Sequence, residues 1–380
     1  MAHGLTGKES TSQKLDVDPA APDATRHGSD ATSVSPARQF NNFDLLRHTL
    51  AVVVLLCHVN WLTKLESFRS FGFLSSDFAV KGFFTISGYL VAQSYVAAGS
   101  VRRYAEKRIR RIYPAYFGVV IFCFVAGALT STLPPSEFLS NPAAWKYLAA
   151  NLAFLNFLQP TLPGVFALNP VQMINGSLWT IKVEVGLYCS VPFVVAAFRR
   201  LGPLKCTAGL YAASVGWVLV FRSLESTYPR LAPALAHQLP AQLSYFVLGI
   251  LVAEAALPKR VLAPIAICSS VALAGLSGSL FSPVIEPICF ASTVLWIALI
   301  PKLPKWKLPD VSYGLYLFHF PTIQLLLALG VFEFSPWVGF VLAIGCASLL
   351  ALASWTFVER PTLRRDSLYV TSSHTSPSSS

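Results

Sequence analysis

Long apolar segments recur along nearly the whole chain, and they constrain its fold more than any other feature. A transmembrane helix needs about 20 mostly apolar residues, so a chain of 380 residues has room for about ten spans and little else. We place spans on segments 43–62, 78–98, 113–133, 178–198, 206–222, 240–257, 261–280, 284–300, 311–332 and 336–357. The sequence therefore predicts an all-α fold, a polytopic helical bundle of about ten transmembrane helices.

The composition agrees with a membrane environment. Apolar residues make up 54% of the chain and charged residues only 12%, about half the charged fraction of soluble domains. The excess of Lys and Arg gives a net charge of +11. Because a basic excess in polytopic proteins marks cytoplasmic loops, we expect membrane lipids and no nucleic acid as partners. A soluble enzyme with a single anchor is excluded.

The basic residues also orient the bundle. Clusters of Lys and Arg lie between the spans at 102–111, 199–205, 259–260, 302–307 and 360–365. All of them fall on the cytoplasmic side if a further apolar segment, 143–158, does not cross the membrane, whereas three move outside if it does. We therefore predict ten spans with cytoplasmic N- and C-termini. A re-entrant or an interfacial position of 143–158 fits this topology equally well.

Polar tails flank the apolar region. Residues 1–41 are rich in Ser, Thr, Asp and Pro, and no apolar stretch follows a charged start as in a signal peptide. We predict disordered cytoplasmic tails at 1–41 and 364–380, around a transmembrane domain at 42–363. The seven cysteines are isolated from one another, and we expect no metal centre.

Ionisable residues inside spans are costly, so they are the first candidates for function. Arg47 and His58 lie in the first span, eleven residues apart, which puts them on nearly the same helix face about 16 Å from each other. Arg47 is then near the cytoplasmic end and His58 toward the outer end. A snorkelling Arg and a packed His remain the alternative interpretation. His319, in an aromatic-rich stretch, is interpreted mainly as structural.

A basic run precedes the third span. Arg108 and Arg111 are three residues apart and therefore neighbours on one helical face at its inner end. Basic loops commonly serve only as topology signals. The sharper hypothesis is an anion site for a phosphate-bearing cofactor, because the guanidinium fork matches phosphate oxygens.

The span at 178–198 carries a carboxylate. Glu184 and Tyr188 are one turn apart and share a face, and the topology puts Glu184 at about the depth of His58. A carboxylate beside an imidazole fixes its tautomer and raises its basicity, which is typical of a general base. The alternative is an interfacial pairing of Glu184 with Lys182.

The second span combines a charged pair with small residues. Asp77 and Lys81 are four residues apart and are predicted to pair at the outer interface. Gly82, Ser87 and Gly88 follow, and small residues allow neighbouring helices to approach closely. Helix packing is the favoured explanation for these three positions.

Taken together, these segments resemble the acyltransferase 3 family, polytopic bacterial enzymes that O-acylate cell-surface polysaccharides. The resemblance runs from about Phe43 to Leu363 and rests on motifs in family order: Arg47 and His58 with ten residues between them; Phe83, Phe84, Ser87 and Gly88 as FFxxSG; Arg108, Arg111, Ile112, Tyr113 and Pro114; Ser177, Leu178, Glu184 and Tyr188; Ser312 to His319; Glu359 to Pro361. One departure is Lys81, where many members have an Asp; it puts the acceptor preference in doubt.

The resemblance implies an O-acetyltransferase of the bacterial inner membrane. It would move a short acyl group, acetyl from acetyl-CoA, to a hydroxyl of a lipid-linked or extracytoplasmic glycan. Its fold would be a multi-pass membrane bundle. The acceptor glycan, the chain length of the donor and the oligomeric state stay open, as does a covalent acyl relay.

The resemblance and the topology together divide the roles among the candidate residues. Arg47, Arg108 and Arg111 are expected to hold the CoA phosphates at the cytoplasmic mouth. His58 is expected to act as the general base on the acceptor hydroxyl, with Glu184 as its orienter. The residues expected to support the site are Ser87 and Tyr188. A polytopic transporter or exporter of a glycan or small organic acid is the alternative function, since intramembrane charge serves transport as well.

Overall fold

The computed structural model describes residues 42–363 except 277, 280 and 301–308, and these residues form helices and loops without a β-strand. The predicted tails at 1–41 and 364–380 lie outside the described residues. In chain order the α-helices are α1 (Phe43–Thr63), α2 (Ser76–Ala98), α3 (Val101–Thr130), α4 (Pro135–Ser140), α5 (Pro142–Leu152), α6 (Leu178–Leu201), α7 (Pro203–Ser223), α8 (Leu231–Ala236), α9 (Leu239–Glu254), α10 (Lys259–Gly275), α11 (Ser282–Leu299), α12 (Ser312–Ala328), α13 (Val331–Phe334), α14 (Pro336–Ala353) and α15 (Arg360–Thr362). The all-α fold class is confirmed.

A long helix lies on each of the ten predicted spans, namely α1, α2, α3, α6, α7, α9, α10, α11, α12 and α14. Seven stretches of the described residues are both long and apolar enough to cross a membrane. They are Phe43–Thr63, Val101–Thr130, Leu178–Leu201, Pro203–Ser223, Leu231–Glu254, Ser282–Leu299 and Pro336–Thr362. The protein is thus a multi-pass membrane bundle, and the count of ten spans and the orientation of the termini stay predictions.

The ambiguous segment 143–158 folds as a short helix followed by an irregular stretch. Helix α5 has 11 residues, which at 1.5 Å per residue is about 16 Å long. The hydrocarbon core of a bilayer is about 30 Å thick. As a helix, this segment is therefore too short to cross, which supports the topology predicted without it.

Close helix contacts at glycines bring α2 and α9 together. A Cβ atom added to Gly88 would lie 2.1 Å from the carbonyl oxygen of Phe246, and one added to Gly249 would lie 2.3 Å from the carbonyl oxygen of Thr85. Only glycine permits backbones to approach this closely. The packing role predicted for Gly88 is confirmed.

A tight connection between α2 and α3 places the basic run. Gly99 ends α2 with a φ of 67°, in the left-handed region that favours glycine. Ser100 follows as the N-cap of α3, its hydroxyl accepting a hydrogen bond from the backbone N–H of Arg103. The first turns of α3 therefore lie beside the last turns of α2.

Helix α12 occupies the centre of the bundle. Nearly every residue from Ser312 to Gln324 is buried, so the helix has no exposed polar face. A helix that is apolar all round is a buried one. Polar side chains on α12 must consequently find partners inside the protein, and His319 is among them.

Candidate active site

At the end of the bundle where α1 begins, two arginines meet two carboxylates. Arg111 donates from Nη2 to Asp310 Oδ2 at 2.7 Å and from Nη1 to Glu359 Oε2 at 2.9 Å. Arg47 Nη1 donates to the same Asp310 oxygen at 3.3 Å. Glu359 ends a π-helical turn, Ser354–Glu359, and also accepts from the Ser354 hydroxyl. We call Arg47, Arg111, Asp310 and Glu359 the ion-pair cluster.

The charge of Asp310 is held by its neighbours. Burial raises the pKa of this carboxyl. The guanidinium groups of Arg111 and, to a smaller extent, Arg47 lower it by more than burial raises it, and the resulting pKa is about 2. Sequence reasoning missed Asp310, which stands outside every predicted span. Glu359 belongs to a motif of the resemblance, but the motif predicts no role for it. Their partner Arg111 is 199 and 248 residues away in the chain.

Arg108 is in a different situation from Arg111. It donates from Nη2 to Ser94 Oγ at 3.0 Å, and its guanidinium lies 5.7 Å from the ring centre of Tyr188. Its Nε is buried without a hydrogen-bond partner among the described residues. A buried donor left unpaired is costly, so this nitrogen is suited to an incoming acceptor such as a phosphate oxygen.

All three predicted arginines line one cavity, which we call the arginine cavity. Its cavity volume is about 70 Å³, and it is partly open to solvent. The predicted supporting residues Ser87, Glu184 and Tyr188 line it as well. Glu184 Oε1 accepts hydrogen bonds from Ser87 Oγ, at 3.2 Å, and from the Tyr188 hydroxyl.

The structure does not bring Glu184 into hydrogen-bond contact with His58, which is the arrangement that the sequence had suggested. The carboxylate is engaged with Ser87 and Tyr188, and the hydrogen-bond partner of His58 is His319. The reason is the position of Glu184 along the axis of α6, which is not the level at which His58 meets His319. Ser177, just before α6, lies at the level of His319, whereas Glu184 is seven residues farther, about 10 Å along the axis.

His58 and His319 form a directed chain of hydrogen bonds. His319 Nδ1 lies 3.1 Å from the carbonyl oxygen of Leu315, which can only accept, so this nitrogen carries the proton. In neutral His319 the other nitrogen, Nε2, then accepts from His58 Nδ1–H over 2.8 Å. His58 Nε2 is consequently left with its lone pair, the form that a general base requires. The aromatic-rich stretch before Pro321 contained no signal for this pairing.

His58 lines a second cavity, which we call the histidine cavity. Its polar lining consists of His58, Ser76, Asp77, Ser177, Trp179 and His237. These residues belong to the end of the bundle where α1 ends and where α2, α6 and α9 begin. Val80 and Tyr316 line both cavities and form the wall between them. The Tyr316 hydroxyl is hydrogen-bonded to Thr180 Oγ1 at 2.7 Å.

Comparison with known proteins identifies the family of this chain. The family model for the acyltransferase domain of the acyltransferase 3 type matches residues 40–356. The chain belongs to the acyltransferase 3 family. The enzyme is thus an acyltransferase, as the resemblance had implied, and the bundle of α1 to α14 is its catalytic domain.

Curated relatives agree with the family. Nodulation protein 10 of Rhizobium leguminosarum bv. viciae is 27% identical over 350 residues, which cover 85% of this chain and 93% of the relative. The O-acetyl transferase of Shigella phage Sf6 is 30% identical over 163 residues, 42% of this chain and 47% of the relative. O-acetyltransferase OatA of Staphylococcus aureus is 23% identical over 85% of this chain and 57% of the relative. No solved structure matches the fold.

Lys81 stands where the resemblance leads us to expect an Asp, and the structure shows how this lysine is accommodated. Lys81 Nζ lies 2.5 Å from Asp77 Oδ2, which confirms the predicted pair. Lys81 also forms an ion pair with Glu286 on α11, and Glu286 accepts from the Tyr245 hydroxyl at 3.1 Å. A basic side chain is tolerated in this apolar setting because two carboxylates face it. The described residues contain no group of three metal-ligating side chains.

Proposed function

We propose that this acyltransferase moves an acetyl group from acetyl-CoA to a hydroxyl of an exported or cell-surface glycan in the bacterial inner membrane. Two relatives carry the name O-acetyltransferase, which supports the transferred group and the hydroxyl acceptor. The two cavities support a division between donor and acceptor. The predicted alternative, a transporter or exporter, loses support from the family match.

On the donor side, Arg108 is the residue that we assign to a CoA phosphate. Its side chain lines the arginine cavity, and its buried Nε has no protein partner among the described residues. Arg111 is already bonded to two carboxylates, so we assign it a structural role, in which the ion-pair cluster holds α3, α12 and the end of α14 in register. Arg47 contributes to the cluster through Asp310 and adds positive charge to the cavity wall.

On the acceptor side, His58 is the general base. Its Nε2 takes the proton of the acceptor hydroxyl while the hydroxyl oxygen attacks the thioester carbonyl. The bond from the carbonyl carbon to sulfur then breaks, and the proton on His58 passes to the CoA thiolate. The products are the acetylated glycan and CoA with a free thiol. His319 acts as a positioning residue, because it keeps the proton of His58 on Nδ1.

The wall between the cavities sets the path of the acetyl group. The donor cavity and the base are separated by the Tyr316 ring, which the hydroxyl bond to Thr180 holds in place. We infer that the acetylated end of the donor passes this ring to meet His58. A closed ring in the absence of acceptor keeps water from the thioester.

The directed chain from the Leu315 carbonyl through His319 to His58 carries this proposal, and substitution of His58 tests it. General-base catalysis contributes roughly 10²–10⁴-fold, so in membrane vesicles given labelled acetyl-CoA the His58→Gln enzyme should lose at least about a hundredfold in kcat. The donor KM should not change. His48→Gln, on the same helix with both ring nitrogens on backbone carbonyls, is the matched control and should transfer normally.

His319 requires a readout that a purely structural residue would not move. Gln at 319 still presents an oxygen that can accept the hydrogen bond from His58, so the loss of kcat in His319→Gln should be limited to about tenfold. The pH profile of kcat should shift, and the donor KM should be unchanged. Substantial transfer by His58→Gln at matched protein levels would exclude His58 as the base.

A further inference from the structure

Several residues that line the histidine cavity have no part in the acyl-transfer step proposed above. Trp179 is half-buried and lines the cavity together with His58, and its indole N–H has no hydrogen-bond partner among the described residues. Two further lining residues approach each other, with Asp77 Oδ1 facing His237 Nε2 across 4.0 Å. His237 Nδ1 lies 2.7 Å from the carbonyl oxygen of Pro233 and therefore carries the proton, so neutral His237 presents a lone pair to the cavity.

These groups match the two kinds of surface on a sugar ring. The C–H face of a pyranose packs on a flat aromatic ring, which Trp179 supplies with a donor at its edge. The hydroxyls at the rim of the sugar donate hydrogen bonds, and the two facing acceptors, Asp77 Oδ1 and His237 Nε2, are spaced to receive them. An aromatic plane with a few polar groups around it fixes the orientation of a bound ligand.

The charge around the cavity restricts which sugar fits. With His58 and His237 neutral, Asp77 carries the single formal charge among the described residues that line the cavity. Behind the lining, Lys81 is shared between Asp77 and Glu286, so the three together carry a net charge of −1. A negative charge at this position disfavours an anionic ligand.

We propose that the histidine cavity is the acceptor subsite and that it selects an uncharged sugar residue, stacked on Trp179 and held by Asp77 and His237. This inference rests on the proposed function, because it takes the ligand of this cavity to be the glycan acceptor. It adds specificity residues to the site: Trp179 sets the plane of the sugar, and Asp77 excludes a carboxylate-bearing one.

The first test measures acceptor use. Membrane vesicles containing the full chain receive labelled acetyl-CoA, and label on membrane glycan is counted. Trp179→Ala should reduce transfer about tenfold, and Trp179→Phe, which keeps a flat ring, should stay within about threefold of the wild type. The KM for acetyl-CoA should be unchanged in both. Trp145→Ala, at an exposed indole of α5 that lines neither cavity, is the matched control.

The second test measures the charge preference. Pentamers of β-1,4-linked xylose and of β-1,4-linked glucuronic acid carry the same ring hydroxyls at C2 and C3 and differ by a carboxylate. The xylose pentamer should inhibit transfer to membrane glycan at lower concentration than the acidic pentamer. In Asp77→Asn that preference should fall about fivefold, while Lys81 keeps its partner Glu286.

The outcomes separate this inference from the proposed function. If the wild type transfers no label to any glycan, the proposed function fails. If the wild type transfers label but Trp179→Ala matches it, Trp179 does not hold the acceptor. Equal inhibition by the two pentamers, or an unchanged preference in Asp77→Asn, would overturn the charge selection.

Discussion

Arg108 and Arg111 are one turn apart, but their substitution by alanine should affect different properties: donor binding for Arg108→Ala and stability for Arg111→Ala. Arg108 makes one side-chain hydrogen bond, to Ser94, and its buried Nε has no partner among the described residues, which is why we assign it to a CoA phosphate. A charge-assisted hydrogen bond is worth about 1.5–3 kcal/mol, so Arg108→Ala should raise the KM for acetyl-CoA about 10- to 150-fold. The protein should remain folded and abundant.

Arg111→Ala should instead unfold part of the bundle. It removes bonds of 2.7 Å to Asp310 and 2.9 Å to Glu359, and the side chain of Glu359 is only 1% exposed. Removing one partner of a buried ion pair costs about 3–5 kcal/mol, because a charge is left without compensation. The expected result is a lower Tm and lower abundance, with donor KM a secondary effect.

The assay is steady-state acetyl transfer in proteoliposomes, with Tm measured on the same preparations. Arg102→Ala is the matched control, since Arg102 is an exposed arginine at the start of the same helix. An acetyl-CoA KM within about twofold of the wild type in Arg108→Ala would refute the anion site. A raised KM with an unchanged Tm in Arg111→Ala would mean that Arg111 holds the donor directly.

Four other predictions follow from the fold and the cavities. Asp310→Asn should have a lower Tm than the wild type at pH 7. Because the pKa of Asp310 is depressed, the stabilisation by its charge is present above about pH 4 and is lost toward pH 2, so the two Tm values should converge near pH 2. A Tm difference that persists at pH 2 would contradict the ion-pair role. Gly88→Ala should lower the free energy of unfolding by about 1–3 kcal/mol because its Cβ has no room, whereas Gly118→Ala, with no atom within 4 Å, should not; equal thermal stability would contradict the close α2–α9 contact. Tyr316→Ala should raise acetyl-CoA hydrolysis without acceptor, measured as free thiol, and an unchanged rate would show that the ring is not the barrier. A reporter fused after Arg200 should be cytoplasmic and one fused near Thr227 should be outside; the reverse would overturn the topology.

Much of the fold followed from local sequence properties. Each predicted apolar segment carries a helix, because in lipid a long apolar run must satisfy its backbone hydrogen bonds internally. The helical period also brought Asp77 and Lys81 together as predicted. For the same reason, Arg108 and Arg111 line one cavity. These relations involve residues within one helix, whose geometry is the same in any fold.

Contacts between helices were decided by the tertiary structure alone. No pattern in the sequence indicates that His58 meets His319, 261 residues away, or that Glu184 lies too deep to reach it. Nor does the sequence distinguish Arg108 from Arg111, since only the tertiary structure pairs Arg111 with Asp310 and Glu359 and leaves Arg108 Nε without a partner among the described residues. The physical reason is that the depth and rotation of one helix against another depend on packing, such as the close contact at Gly88, and not on the period of either helix.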